Sequence, residues 1–149
     1  MLPTLLDLAN ITIPESIEGK SMKEAITKPD AFADEAALIM SVSPFDRPEN
    51  NEYRGIYTSR YTYVENLEGP WLMYDNEKDP YQMNNLVDNP EYEYLLKELD
   101  SILSEKLNMI GDEFKPRGYY IEKWGYKLNK SGHIDYRADA EPQGPALNN

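Results

Sequence analysis

Residues 53–74 read YRGIYTSRYTYVENLEGPWLMY, which is the strongest strand pattern in the chain. β-Branched and aromatic residues dominate this stretch, and such residues favour strands over helices. Residues 58–60 predict the turn of a hairpin, and Gly69-Pro70 separates the hairpin from a further strand. We therefore expect an antiparallel sheet in this part of the chain.

A buried strand is predicted before the hairpin, over the short apolar run of residues 36–42, AALIMSV. A long helix is predicted after it, over residues 90–109, because Asn89 is a good N-cap, Pro90 suits the first helical position and Gly111 ends the pattern. Apolar residues recur along this helix at steps of three or four, namely Tyr92, Leu95, Leu96, Leu99, Ile102, Leu103 and Leu107.

The predicted fold class is α+β. A small antiparallel sheet of about four strands packs against one long C-terminal helix, because the apolar stripe of the helix needs a surface to cover. An irregular, aromatic-rich C-terminal extension follows the helix, and the chain beyond Arg137 is expected to be frayed because it has little to bury.

Two short helices are predicted near the N-terminus. The first covers residues 3–9 and ends at Asn10, and the spacing of Ser21 and Glu24 predicts a capping box for the second. A seven-residue helix is not stable alone, so the first one must pack on something else. Because the chain begins inside it, we expect an upstream part to be missing and the exposed leucines to promote self-association.

The composition excludes several classes of function. The chain has 149 residues, no cysteine, one histidine and a formal net charge of −12. Disulfides, thiolate zinc sites and a cysteine nucleophile are therefore absent from the sequence. Nucleic acid is not expected as a partner, because the negative charge repels phosphate backbones. A membrane is not expected either, since no apolar run approaches roughly 20 residues, and the sequence shows no targeting signal.

An acidic segment resembles a calcium-binding loop only at its start. Asp75, Glu77 and Asp79 alternate like the first ligands of such a loop, which then needs a glycine and a later acid. Pro80 and Leu86 occupy those two places. We therefore interpret the segment as a solvated turn and predict no metal ligand in this chain.

Aromatic residues cluster in and near the predicted sheet, namely Tyr57, Tyr61, Tyr63, Trp71 and Tyr74. They would suit a sugar-stacking platform or cross-strand packing under the long helix. Packing is the favoured interpretation, because the helix needs a partner surface.

A few cationic or titratable side chains stand out in this acidic chain. Guanidinium groups such as those of Arg47, Arg54 and Arg60 suit sulfate or carboxylate, and ion pairing with nearby acids is the alternative for each. His133 lies in a polar, turn-like stretch, where it is either a plain surface residue or a contact to an anionic ligand. The residues alone describe a small domain without a self-contained active site.

Three segments resemble motifs of the formylglycine-dependent sulfatases, in the same order. Residues 2–9 (LPTLLDLA) and 18–21 (EGKS) are similar to the family's "PTLLDLAG … xGxS" segment. Residues 53–64 resemble its "RGIRTxRYKYI" hairpin, and residues 69–86 its "WxLYDxExDPxExxNL" signature. On this basis the chain is identified as a C-terminal fragment of a bacterial sulfatase of the alkaline-phosphatase-like superfamily.

The resemblance implies how this chain divides into parts and which functions belong to the rest of the parent enzyme. Residues 1–30 would be the tail end of the catalytic domain, residues 31–113 the sheet-plus-helix subdomain, and residues 114–149 an extension. The parent enzyme would hydrolyse sulfate esters with formylglycine and calcium, in the periplasm or outside the cell. Its nucleophile motif, C/S-x-P-x-R, does not occur in this sequence. The fragment alone is therefore predicted to be inactive, with no catalytic residue and no cofactor of its own.

The implied role of the fragment is to complete the fold and to rim the substrate pocket. Arg47, Arg54 and His133 are the predicted substrate-binding residues, and the missing catalytic domain and a sulfated substrate are the predicted partners. Two alternatives stay open. The chain could be a free-standing glycan-binding or interaction module, or the C-terminal part of a related phosphonate or phosphate ester hydrolase.

Overall fold

The structure is a computed structural model that describes residues 1–17, 19–28, 30–32, 35–41 and 52–134. The chain forms two compact units, Met1–Glu35 and Ala36–Asn149. The predicted frayed tail beyond Arg137 lies outside the described residues. None of the described helices is both long and apolar enough to cross a membrane.

The first unit contains helices α1 (Leu2–Leu8) and α2 (Glu24–Thr27). Asn10 has a φ of 56°, so it ends the first helix in the left-handed conformation that the sequence predicts. Leu2, Leu5 and Leu8 of α1 remain substantially exposed.

The predicted capping box of α2 is wrong. Lys23 occupies the N-cap position, and no side chain caps the helix. Ser21 instead donates its hydroxyl hydrogen to Asp7 Oδ2 at 2.6 Å, and Lys23 Nζ lies 3.0 Å from Asp7 Oδ1. These hydrogen bonds, first from Ser21 and then from Lys23, hold the pKa of Asp7 below its ordinary value. A carboxylate that is distant in sequence therefore binds the hydroxyl that would have capped the helix.

The second unit is built on the predicted four-stranded antiparallel sheet. Its strands are β1 (Ala37–Ser41), β2 (Tyr53–Tyr57), β3 (Tyr61–Asn66) and β4 (Gly69–Asp75). They lie in the order β1-β2-β3-β4, and every neighbouring pair is antiparallel. The predicted hairpin and the positions of both flanking strands are thus confirmed. The predicted burial of the first strand is wrong, because β1 lies at the edge of the sheet and its residues are partly or fully exposed. Gly69 and Pro70 do not separate two strands but begin β4.

The predicted long helix is also confirmed. It begins with a 3₁₀ turn, Pro90–Tyr92, and continues as α3 (Glu93–Ile110). Asn89 caps it by accepting the Glu91 N–H at 3.0 Å, and Gly111 ends it at a φ of 66°.

The core lies between α3 and one face of the sheet. Leu99, Leu103 and Leu107 of the helix belong to one buried cluster with three sheet residues, Ile56, Tyr63 and Met73. Tyr63 is fully buried and donates its hydroxyl hydrogen to Asp100 Oδ1 of the helix at 2.8 Å. Burial and this carboxylate raise the pKa of Tyr63 far above its usual range. The bond gives the buried hydroxyl a partner and fixes the helix over the sheet.

The aromatic residues of the sheet do not form one platform. Tyr63 is in the core and Tyr61 packs against it, so the packing interpretation is confirmed for these two. Tyr57 and Trp71 are 48% and 47% exposed and are not part of that cluster.

The side chain of Asn85 forms hydrogen bonds with the outer edge of β4, as the backbone of a neighbouring strand would. Asn85 Oδ1 accepts the Met73 N–H at 2.9 Å, and Asn85 Nδ2 donates to the Trp71 carbonyl at 3.0 Å. The next residue, Leu86, donates its N–H to the Met73 carbonyl at 2.8 Å. These bonds occupy backbone groups that an edge strand would otherwise expose.

A fourth helix, α4 (Arg117–Trp124), lies in the part that the sequence describes only as an aromatic extension. It ends at Gly125, with a φ of 66°. Tyr120 stacks on Trp124 with ring centroids 5.0 Å apart, and Tyr119 and Tyr126 approach these two rings edge-on. Tyr119, Tyr120 and Trp124 of the extension therefore lie on a helix.

A substitution at Gly55 in β2 tests how closely the strands of the sheet pack. A Cβ atom at this position would lie 2.5 Å from the Tyr63 carbonyl oxygen and 3.0 Å from Val64 Cγ2. We expect Gly55→Ala to lower the free energy of unfolding by about 3 kcal/mol, because a backbone atom cannot move aside easily. Urea unfolding followed by circular dichroism measures this.

The matched control is Gly118→Ala in α4, where an added Cβ meets no atom within 4 Å. Alanine favours the helix, so this variant should be roughly 0.5 kcal/mol more stable than the unsubstituted 149-residue chain. Equal effects of the two substitutions would contradict the packing described for β2.

Candidate functional site

Arg54 is the predicted site residue that the structure describes in most detail, and it is buried, with 1% of its surface exposed. Its Nε and Nη2 atoms donate to Asp112 Oδ2 and Oδ1 at 2.6 and 3.1 Å. Its Nη1 atom donates to the Ser41 and Tyr53 carbonyls, both at 3.0 Å. The Phe114 ring covers the guanidinium, with its centroid 4.7 Å from Cζ. One side chain thus joins β1, β2 and the segment that follows α3.

Asp112 is the partner that sequence reasoning missed. The left-handed Gly111 turns the chain at the end of α3, and the Asp112 N–H donates to the Leu107 carbonyl at 3.0 Å. Burial raises the pKa of the Asp112 carboxyl, but the hydrogen bonds from Arg54 and the Phe114 N–H outweigh it and lower the pKa below its ordinary value. The sequence feature that could have indicated this partner is the position of Asp112, directly after the glycine that ends the helix.

Arg60 forms a second bidentate pair, with Asp75. Nε and Nη2 donate to Asp75 Oδ1 and Oδ2 at 3.0 and 2.7 Å. The N–H groups of Glu77 and Lys78 also donate to Asp75 Oδ1. The interpretation of this segment as a solvated turn is wrong for Asp75, whose side chain is 3% exposed. Its carboxylate instead joins the end of β4 to Arg60, which precedes β3, and to the backbone N–H groups of the turn that follows β4.

Metal binding is not supported within the part of the chain that the structure describes. Across residues 1–17, 19–28, 30–32, 35–41 and 52–134, no group of three or more histidine, aspartate or glutamate side chains is arranged to hold a metal ion.

The other two predicted site residues are His133, which the structure describes, and Arg47. His133 is partly exposed, and its backbone is fixed by Asn129, which accepts the His133 N–H at Oδ1 (3.0 Å) and donates its own N–H to the His133 carbonyl (2.8 Å). Arg47 lies outside the described residues. Among the described residues, Arg54 and His133 have no hydrogen-bonding partner in common. The substrate-binding roles of all three stay predictions.

A family model decides what the chain is related to. The model described as "N-sulphoglucosamine sulphohydrolase, C-terminal" matches residues 1–109. The chain belongs to this sulfatase family.

Individual sulfatases match most of this chain. The ulvan-active sulfatase of Formosa agariphila is 49% identical over 132 residues, which are 88% of this chain and 26% of that protein. The arylsulfatase of Clostridium perfringens is 31% identical over 134 residues, which are 90% of this chain and 27% of that protein. The chain therefore spans about a quarter of the length of these relatives.

The fold has solved counterparts as well. BT4656, solved in complex with its substrate D-glucosamine-2-N,6-O-disulfate, superposes with a TM-score of 0.62 at 28% identity. The match covers 77% of this chain and 24% of that one. The sulfatase resemblance read from the three sequence motifs is thus confirmed.

The Arg60–Asp75 pair predicts a pH dependence of stability. The hydrogen bonds from Arg60 lower the pKa of Asp75 despite its burial. A depressed pKa contributes stability above the unfolded value of about 3.9, and this contribution is lost as the pH falls through the folded value. The free energy of unfolding of the parent chain should therefore fall more steeply than that of Asp75→Asn between about pH 5 and pH 2.5.

Urea unfolding at a series of pH values measures the difference. The control is Asp88→Asn, which replaces an exposed aspartate and should keep the pH slope of the parent chain. An Asp75→Asn slope equal to that of the parent chain would show that the pair contributes nothing over this range.

Proposed function

We propose that this chain is the C-terminal part of an enzyme that hydrolyses sulfate esters, and that it completes the fold and rims the substrate pocket. The observation that carries the proposal is the match of residues 1–109 to a sulfatase C-terminal family model. The 49% identity to a protein named as an ulvan-active sulfatase supports it. Residues 1–30 are assigned to the end of the catalytic domain, residues 31–113 to the sheet-plus-helix subdomain, and residues 114–149 to an extension.

Calcium and formylglycine are the groups that the family implies for the whole enzyme. The described residues do not fit calcium, because they bring no three acidic or imidazole groups together. The sequence does not fit formylglycine, because no Cys or Ser stands in a C/S-x-P-x-R pattern. We therefore assign both groups to the catalytic domain, and no step of the reaction to the side chains of this chain.

The proposed contribution of this chain is to hold its helix and strands in fixed positions. The Tyr63–Asp100 bond and the Arg54–Asp112 pair fix the long helix on the sheet, which makes a rigid support. A cationic guanidinium at Arg47 and the imidazole of His133 are suited to an anionic sulfate ester. Arg54 would have to exchange a bond with Asp112 to contact substrate, so its proposed contribution is to hold β2 in place.

The substrate class proposed here is a sulfated carbohydrate. The names of the relatives include an ulvan-active sulfatase, and BT4656 was solved with a sulfated glucosamine. An enzyme that acts on such polymers must meet them outside the cytoplasm, so we place the parent enzyme in the periplasm or outside the cell.

The test compares the whole enzyme with this chain. The gene upstream of Met1 is sequenced, the full reading frame is expressed, and both proteins are incubated with 4-nitrophenyl sulfate and with sulfated polysaccharides while free sulfate is measured. We expect the whole enzyme to release sulfate and the 149-residue chain to release none.

A variant tests the pocket role within the whole enzyme. His133→Ala should raise the KM for a sulfated carbohydrate about tenfold with little change in kcat, because it removes binding shared by substrate and transition state. Ser131→Ala, in the same turn, is the matched control and should leave both constants unchanged.

Three outcomes would overturn the proposal. Sulfate release by the isolated chain would place the active site within it. Turnover of phosphate or phosphonate esters without sulfate release would favour a related hydrolase. A stop codon directly upstream of Met1, combined with glycan binding by the chain, would favour a free-standing binding module.

A further inference from the structure

A small cavity lies between the end of α3 and helix α4, within the second unit. It measures about 220 Å³ and is lined by Ile110, Glu113, Tyr120, Lys123 and Trp124, with the Arg54–Asp112 pair among its lining groups. Sites for drug-sized ligands measure roughly 300–1,000 Å³, so this cavity has room for one ring and not for an extended ligand. We call it the α3–α4 cavity.

The buried lining groups of the α3–α4 cavity are electrically balanced. Arg54 and Asp112 neutralise each other through two hydrogen bonds of 2.6 and 3.1 Å. Tyr120, which is 6% exposed, accepts the Lys115 N–H at its hydroxyl oxygen at 3.2 Å. A charged ligand would gain little net attraction here, because Arg54 and Asp112 are already in contact with each other and Tyr120 is neutral.

The rim of the cavity holds a second balanced pair. Lys123 Nζ lies 3.1 Å from Glu113 Oε2, and Tyr119 donates its hydroxyl hydrogen to the same oxygen at 2.7 Å. Within the described part of the chain, Tyr119 and Lys123 both donate to Glu113 Oε2, so Oε1 is left to accept a further hydrogen bond. The Lys123 ammonium has three hydrogens, of which the bond to Glu113 uses one. The rim thus offers a donor and an acceptor side by side.

Apolar groups form the remaining wall. Trp124 is partly exposed and stacks on Tyr120, and Ile110 is 58% exposed at the end of α3. A ligand that fits all these features has one apolar face for the indole and the isoleucine. At its edge it has neighbouring hydroxyl groups, one donating to Glu113 Oε1 and the other accepting from Lys123. It carries no net charge.

A sugar ring has this combination of groups. We propose that the α3–α4 cavity binds one uncharged pyranose unit, with two adjacent hydroxyls held by Glu113 and Lys123. The proposal does not depend on sulfate ester hydrolysis, because only residues of this chain form the site.

The experiment titrates the isotope-labelled 149-residue chain with methyl β-D-glucopyranoside and follows it by two-dimensional NMR. The chain has two tryptophans, so each spectrum contains an internal control. The indole N–H of Trp124 should shift saturably while that of Trp71 stays in place. A ligand with about a dozen non-hydrogen atoms is expected to bind with a Kd of about 1 mM.

Variants separate the site from general effects on the fold. Lys123→Met and Glu113→Met replace exposed rim residues, so folding should be retained, and the Kd should rise about five- to tenfold as hydrogen bonds are lost. The matched control is Lys97→Met, which breaks an exposed Lys–Glu pair of 2.7 Å elsewhere on α3 and should leave the Kd unchanged.

The proposal is overturned by any of three results. The first is no saturable shift of Trp124 up to about 50 mM ligand, well above the expected millimolar range. The second is an equal effect of Lys97→Met and Lys123→Met. The third is much tighter, salt-sensitive binding of glucose 6-sulfate, which would make the cavity an anion site. None of these results bears on sulfate release by the whole enzyme, so the two proposals fail separately.

Discussion

The second unit depends on one buried ion pair, between Arg54 and Asp112. The guanidinium is 1% exposed and bonds to the carboxylate and to two backbone carbonyls, one from each of two neighbouring strands. Transferring such charges from water costs several kcal/mol, so the pair is tolerated only because nearly every donor has an acceptor. Its main effect is to specify one arrangement: the end of α3 must return to the start of β2. Together with the Tyr63–Asp100 hydrogen bond, that closure holds the long helix on the sheet.

The segments that identify the family serve the fold in this chain. Asp75 holds Arg60 and two backbone N–H groups, and Asn85 completes the hydrogen bonding of the β4 edge. Both residues belong to the signature that spans residues 69–86. In the enzyme that we propose, these residues support the fold, and the chemistry of sulfate ester hydrolysis is assigned to the catalytic domain. A chain that spans about a quarter of its relatives is consistent with this division.

Local patterns predicted the sheet and the long helix well, because their strands, turns and caps are each determined by neighbouring residues. The N-cap at Asn89 and the left-handed Gly111 are examples. Long-range competition explains the failures. Ser21 bonds to Asp7 and not to its own helix, and the partner of Arg54 lies 58 residues away. Helix α4 has only eight residues, and Tyr120 stacks on Trp124 within it, so the sequence contains no long periodic pattern that predicts this helix. A candidate site assembled from distant pairs cannot be read from spacing.

A double-mutant cycle on the Arg54–Asp112 pair tests the central claim most directly. The free energy of unfolding is measured for Arg54→Met, Asp112→Leu and the double variant. Each single change should cost about 3–5 kcal/mol, because it leaves one buried charge without its partner. The double variant should lose far less than the sum of the two, because no unpaired charge remains. Additive losses would contradict the account and would mean that the two side chains stabilise the unit independently.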